Sequence, residues 1–242
     1  MVIHTLSKMA KLINTLSEVK MKLFADTANL QEIESLLQKG VVQGITTNPS
    51  LLAKEPKTDF YEHIQKICDL CVKYEEDIPV SVEVFAMEPD SMITQAVEIC
   101  DRIEYSNINI KVPVGFEELR VIHELKKRGI SVNCTCCFTG TQMQLAALSG
   151  ARYVSLFYNR LIDVGGEPLE ILRRTRKFID DNGLECEIIA GSIRNPYDLS
   201  NCWAQGCHIV TAGYTVITKS MAHVKTDESV EGFMKDFEQW IK

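Results

Sequence analysis

Eight short apolar runs alternate with amphipathic stretches from Lys22 onward, and this alternation restricts the fold more than any other feature. The runs are Leu23 to Ala25, Gly44 to Thr46, Val80 to Val84, Ile108 to Val112, Ser131 to Cys136, Tyr153 to Phe157, Glu187 to Ala190 and Ile209 to Thr211. They are short and rich in β-branched residues, so each reads as a strand. Helical spacing marks Leu30 to Gln38, Phe60 to Tyr74, Ser91 to Ile103, Phe116 to Arg128, Gln142 to Leu148, Leu169 to Asp181 and Pro196 to Ala204. Strands separated by helices build a parallel sheet, because parallel neighbours need a long crossover. Eight such units close an α/β (βα)8 TIM barrel. The competing arrangement is a doubly wound open sheet. No glycine-rich dinucleotide fingerprint follows the first strand, which counts against it.

The 242 residues have the size of one such barrel, and no linker or low-complexity segment divides them. The expected organisation is a single barrel domain over residues 21–242 behind an N-terminal extension, residues 1–20. In the extension Ile3, Leu6, Met9, Leu12, Ile13, Leu16 and Val19 recur at helical spacing, which predicts an amphipathic surface or oligomer-contact helix. The run is too broken for a membrane span or a signal-peptide core. Met21 reads as an alternative start, which would make the extension an appendage. Residues 227–242 predict a C-terminal helix with Val230, Phe233, Phe237 and Trp240 on one face.

A net charge of -7 argues against nucleic acid or an anionic membrane as the main partner. It leaves room for a small anion held by a few local arginines. Nine cysteines without regular spacing predict free thiols in a reducing cytoplasm. Cys68 and Cys71 form a CxxC within a helical pattern. No second pair has finger-like spacing, so buried packing is favoured over a metal site.

The chemistry-bearing residues recur at strand ends, where barrels of this kind place their active sites. Lys111 closes the fourth strand among Ile110, Val112 and Pro113. Burial there disfavours the ammonium and makes the amine a nucleophile toward carbonyls, whereas an edge-strand lysine would lay its stem on apolar surface and reach water. Asp26 ends the first strand. Thr46, Thr47 and Asn48 end the second, and Glu83 lies in the third. Asn133 and Thr135 share a face of the fifth. Ser155 lies in the sixth, followed by Phe157 and Arg160, while Ser192 and Arg194 follow the seventh. Singly, each has a structural explanation: Asp26 and Ser192 as helix caps, Asn48 as a turn former, the arginines as surface ion pairs. Together they put a lysine, two carboxylates, several hydroxyl and amide groups and two arginines at one mouth. Interior polar groups cost free energy unless paired, so stability alone explains such a set poorly. A lysine here can form a Schiff base with a ketone. Asp26 can remove a hydroxyl proton for carbon–carbon cleavage. Glu83 and Thr135 can hold a water, and Arg160, Ser192 and Arg194 can grip a phosphate.

Four segments carry a resemblance: Phe24-Ala25-Asp26-Thr27-Ala28-Asn29, Gly44-Ile45-Thr46-Thr47-Asn48-Pro49-Ser50, Ile110-Lys111-Val112-Pro113 and Ala190-Gly191-Ser192-Ile193-Arg194-Asn195-Pro196. From about Met21 to Lys242 the chain resembles the transaldolases, and among them the short single-domain branch that includes the fructose-6-phosphate aldolases. The resemblance implies that Lys111 is the Schiff-base lysine and Asp26 the general acid/base. It pairs Glu83 with Thr135 on the catalytic water. It makes Thr46, Asn48, Asn133, Ser155 and Phe157 substrate contacts, with Arg160, Ser192 and Arg194 at the phosphate. It implies no metal or organic cofactor, and transfer of a dihydroxyacetone unit from fructose 6-phosphate or sedoheptulose 7-phosphate to an aldose phosphate, in the non-oxidative pentose phosphate pathway. Glu83 and Phe157 stand where the aldolases have glutamine and tyrosine, which sides with transaldolase. Gly213 stands where the family often has proline, and Val224 replaces the proline that commonly follows the histidine at His223. The branch implies a homo-oligomer, often a decamer. Two further expectations stay open beside these: a non-catalytic sugar-phosphate binder on the same barrel, and a redox or metal role for the cysteines.

Overall fold

The computed structural model describes residues 21–74 and 77–241. The N-terminal extension therefore lies outside the described residues. Eight parallel strands close into a barrel: β1 (Lys22–Asp26), β2 (Ile45–Thr46), β3 (Val80–Glu83), β4 (Ile108–Pro113), β5 (Ser131–Cys137), β6 (Tyr153–Phe157), β7 (Glu187–Ile193) and β8 (Ile209–Ala212). β8 pairs with β1, so no edge remains. The helices are α1 (Leu30–Gln38), α2 (Pro49–Leu52), α3 (Phe60–Lys73), α4 (Pro89–Arg102), α5 (Glu118–Lys127), α6 (Gly140–Ser149), α7 (Tyr158–Asp163), α8 (Pro168–Asp181), α9 (Pro196–Ala204), α10 (Tyr214–Lys219) and α11 (Val224–Trp240).

The outer layer forms because each long helix carries one apolar stripe. α1 buries Ile33, Leu36 and Leu37, and α3 buries Ile64, Ile67, Cys68 and Cys71. The two cysteines of the CxxC thus belong to the packed face, and burial pushes the Cys68 thiol up. Inside the barrel, strand residues alternate inward and outward. The inward set at the bottom is apolar: Phe24, Tyr153, Ile189 and Ile209 form one buried cluster, with Phe24 and Tyr153 edge to face at 6.3 Å. The inward set above it is polar: Thr46, Ser81, Asn133, Ser155 and Thr211, all buried. This division fills one end of the barrel with apolar side chains and gathers polar groups toward the other.

Gly44 makes the bottom layer possible. A Cβ there would stand 2.5 Å from the Phe24 ring. Overpacking of a fixed core ring costs about 1–3 kcal/mol. Gly44→Ala is therefore expected to lower the unfolding free energy by that amount, read as an earlier urea midpoint, while the polar layer above keeps its geometry.

Strand and helix placements follow the sequence expectation, with differences at the ends. β5 and β7 run further than expected, to Cys137 and Ile193, so Ser192 lies in a strand rather than after it. Near its C-terminal end each of these two strands has a register shift and a non-glycine residue with positive φ, Cys136 at 62° and Ser192 at 60°. Three short helices, α2, α7 and α10, were not expected. At four to six residues they are too short to show a helical period. α11 carries the anticipated apolar face, but none of its residues is buried, and Phe233, Phe237 and Trp240 stay exposed. Among the described residues no helix is long and apolar enough to cross a membrane.

Candidate active site

Strand register assembles the site. Glu83, Lys111 and Asn133 are partners on three adjacent strands, β3, β4 and β5. Asp26 pairs with Thr46 across β1 and β2. All five point into the barrel and line one cavity of about 370 Å³ at the strands' C-terminal ends. Lys111 is largely withdrawn from solvent, being 6% exposed. Its Nζ donates to the Thr47 carbonyl at 2.8 Å and pairs with Glu83 Oε2 at 2.9 Å. A buried charge held this way is compensated but still dehydrated.

Asp26 is placed to change protonation state. It opens partly to the cavity, while surrounding protein withholds water from its carboxylate. Burial raises its pKa above the ordinary 3.8, against the opposing pull of Lys111, the Thr46 hydroxyl, Lys54 and Arg160. Thr46 Oγ1 donates to Asp26 Oδ1 at 2.8 Å. Asn133 is fixed from both sides: its Nδ2 donates to Ser81 Oγ at 3.2 Å, and its Oδ1 accepts from Ser155 Oγ at 2.6 Å.

The bulges at the ends of β5 and β7 decide what else faces the cavity. A bulge breaks the in–out alternation. Thr135 and its neighbour Cys136 both line the mouth, as do Gly191 and Ser192. Burial and the Glu83 charge push the Cys136 thiol up, which keeps it neutral. Phe157 completes that wall. The Arg160 guanidinium lies over its ring, 4.6 Å from the centroid, and lines the cavity.

Of the twelve residues anticipated from the sequence, eleven border this cavity: Lys111, Asp26, Glu83, Thr135, Thr46, Asn48, Asn133, Ser155, Phe157, Arg160 and Ser192. Arg194 does not border it. Its guanidinium forms a two-pronged pair with the Asp163 carboxylate at 2.8 and 2.6 Å, on the exposed rim. The alternative cap readings fail for two residues, because Asn29 caps α1 and Asn195 caps α9. Asn48, expected as a turn former, is instead the cap of α2: its side chain accepts from the Leu51 amide at 3.0 Å. Lys54, Thr211 and Cys136 also line the cavity without having been singled out. Lys54 makes no ion pair or hydrogen bond through its side chain among the described residues. A larger groove of about 540 Å³ between α2 and α3 shares Pro49 and Glu83 with the cavity but contains neither Lys111 nor Asp26.

Fold and site together define an α/β barrel whose mouth gathers one buried lysine, one exposed lysine and two carboxylates. Residues 23–242 match the transaldolase/fructose-6-phosphate aldolase family. A protein of Alkaliphilus metalliredigens named "Probable transaldolase" is 39% identical over 222 residues, covering 92% of this chain and 100% of that protein. One of Clostridium botulinum with the same name is 41% identical over 218 residues, covering 90% of this chain and 98% of its own. A solved structure described as "Native KDPGal structure" superposes with a TM-score of 0.54 at 14% identity, over 80% of this chain and 83% of that one. That last likeness bears on the barrel alone. The chain belongs to the transaldolase/fructose-6-phosphate aldolase family.

Proposed function

We propose that the protein is a transaldolase that moves a dihydroxyacetone unit from a ketose phosphate to an aldose phosphate through a Schiff base on Lys111. The observation that carries this reading is the dehydrated Lys111–Glu83 pair sharing one cavity with Asp26. The Lys111 amine adds to the ketone carbon and water leaves, giving a protonated imine. Asp26 takes the proton of the hydroxyl on the carbon beyond the bond to be broken. That carbon–carbon bond breaks, the aldehyde departs, and the electron pair passes into the iminium as an enamine. In the second half the enamine attacks the acceptor aldehyde, and Asp26 returns its proton to the new alkoxide. Hydrolysis of the imine then frees Lys111. Glu83 and Thr135 hold the water for imine formation and hydrolysis. The reaction as written runs on this chain's own side chains.

Borohydride trapping with fructose 6-phosphate, followed by mapping of the modified lysine, tests this reading. A stable adduct on Lys111 supports it, and no adduct removes it. Fructose 6-phosphate with and without erythrose 4-phosphate separates transfer from aldolase activity. Large release of free dihydroxyacetone without acceptor would favour the aldolase reading. The side chains at 83 and 157 support the transaldolase side. The uncovered face of α11 supports self-association of this chain.

Phosphate recognition falls to the cations that border the cavity, Arg160 and Lys54, with the Ser192 hydroxyl. A hydrogen bond to a charged group is worth about 1.5–3 kcal/mol. Arg160→Gln is therefore expected to raise KM for fructose 6-phosphate roughly ten- to a hundredfold. Lys54→Gln should raise it less, because its head is exposed. Trapping with unphosphorylated dihydroxyacetone should be unchanged in both. Equal losses on the two substrates would show a general defect instead.

A further inference from the structure

Thr46 has one hydroxyl proton, and it donates that proton's hydrogen bond to Asp26 Oδ1. The same Thr46 oxygen lies 2.6 Å from Thr211 Oγ1, in a buried contact. While Asp26 is ionised, that contact has a single orientation: Thr211 donates and Thr46 accepts. We propose that Thr211 is a positioning residue for the acid–base group, the outer member of a two-hydroxyl relay that runs from Thr211 through Thr46 to Asp26. The proposal rests on the Schiff-base reading above and adds to it a residue which that reading does not use.

The barrel geometry supports the relay. β1 lies between β2 and β8, so Thr46 and Thr211 approach Asp26 from opposite neighbours. Phe24, on the closed bottom layer, is the register partner of Thr211. Thr46 and Thr211 are 3% and 5% exposed. The Thr211 methyl faces Gly191, where a Cβ would stand 3.5 Å away, which leaves its hydroxyl turned to Thr46. Hydrogen bonds in a chain polarise one another, so donation by Thr211 strengthens the donation by Thr46. With Oδ1 engaged, Oδ2 is the Asp26 oxygen that receives no protein donor among the described residues. It is the oxygen left to take the substrate proton and return it. The relay moves no charge out of the site.

The test uses the full chain with fructose 6-phosphate and erythrose 4-phosphate. Thr211→Val keeps the shape and removes the donor. A neutral hydrogen bond is worth about 0.5–1.5 kcal/mol, so kcat is expected to fall about three- to tenfold with KM within about twofold. Borohydride adduct formation with dihydroxyacetone should stay at the wild-type level, because it requires no bond cleavage. Thr211→Ser should restore kcat. The deciding measurement is the double mutant: if Thr211 acts through Thr46, Thr46→Val with Thr211→Val is no slower than Thr46→Val alone. Wild-type kcat in Thr211→Val, equal loss in Thr211→Ser, or additive losses in the double mutant would each overturn the proposal. Should Thr211→Val fail to fold, Thr211→Ala replaces it in the same cycle. A wild-type chain that forms no Lys111 adduct removes the Schiff-base reading and the relay with it. An intact adduct with additive losses removes the relay alone.

Discussion

Lys111→Ala is expected to abolish turnover, with kcat falling about ten-thousand-fold or more and no borohydride adduct forming anywhere in the chain. Losing a nucleophile removes the covalent route altogether, which places its loss among the largest single-residue effects. The fold should survive. Lys111 is a buried cation whose partners are Glu83 and the Thr47 carbonyl, and its removal leaves Glu83 at the open end of the barrel, 17% exposed, where water can reach it. Lys111→Met is the sharper control, because it fills the space of the stem while removing the amine. Circular dichroism and the urea midpoint should show a folded barrel in both variants. Trapping distinguishes this outcome from a mere packing role. Retained turnover in Lys111→Met, or an adduct that maps to Lys54 instead, would overturn the mechanism.

The barrel was legible because its signal is repeated eight times: each strand–helix unit restates the same switch between a period of two and a period near 3.6. The reactive side chains were legible where a polar group interrupts an apolar strand, as Lys111 does between Ile110 and Val112. Three kinds of feature escaped. Thr211 sits in Ile209–Ala212 as one more β-branched strand residue, and nothing in its own sequence separates a hydroxyl aimed at Thr46 from one at home in any strand. Cys136 faces the cavity only because β5 bulges, and a bulge has no composition of its own when the residue at positive φ is not glycine. The third is the arginine pair. Arg160 and Arg194 look equivalent from the chain, yet α7 turns one onto the Phe157 ring at the cavity wall, and Asp163, the last residue of that helix, draws the other to the rim. A six-residue helix with no readable period decides which cation borders the cavity.

Asp26→Asn is expected to keep the Lys111 adduct and lose the cleavage. In the proposed mechanism, imine formation with dihydroxyacetone needs the Lys111 amine but no base at Asp26, so trapping should proceed near the wild-type extent. Breaking the carbon–carbon bond of fructose 6-phosphate needs a base at the hydroxyl. General acid–base catalysis contributes about a hundred- to ten-thousand-fold, which sets the expected drop in kcat. The pH profile carries a second signature. Asp26 acts as a base only when ionised, and burial raises its pKa above 3.8, so the acid limb of wild-type kcat should lie above the ordinary carboxylate range and disappear in Asp26→Asn. The stability sign is opposite to that of a salt-bridged carboxylate. A carboxyl whose pKa is raised on folding holds its proton more tightly in the folded state. Stability then falls as pH rises from the unfolded pKa through the folded one. Wild-type Asp26 gives up stability over that rise, and the neutral amide avoids the loss. Asp26→Asn should therefore melt at or above the wild-type temperature at pH 7, and the gap should close in acid. A variant that melts well below wild type at pH 7, or loses its adduct, would show Asp26 to be a structural partner of Lys111 and Thr46 rather than the base.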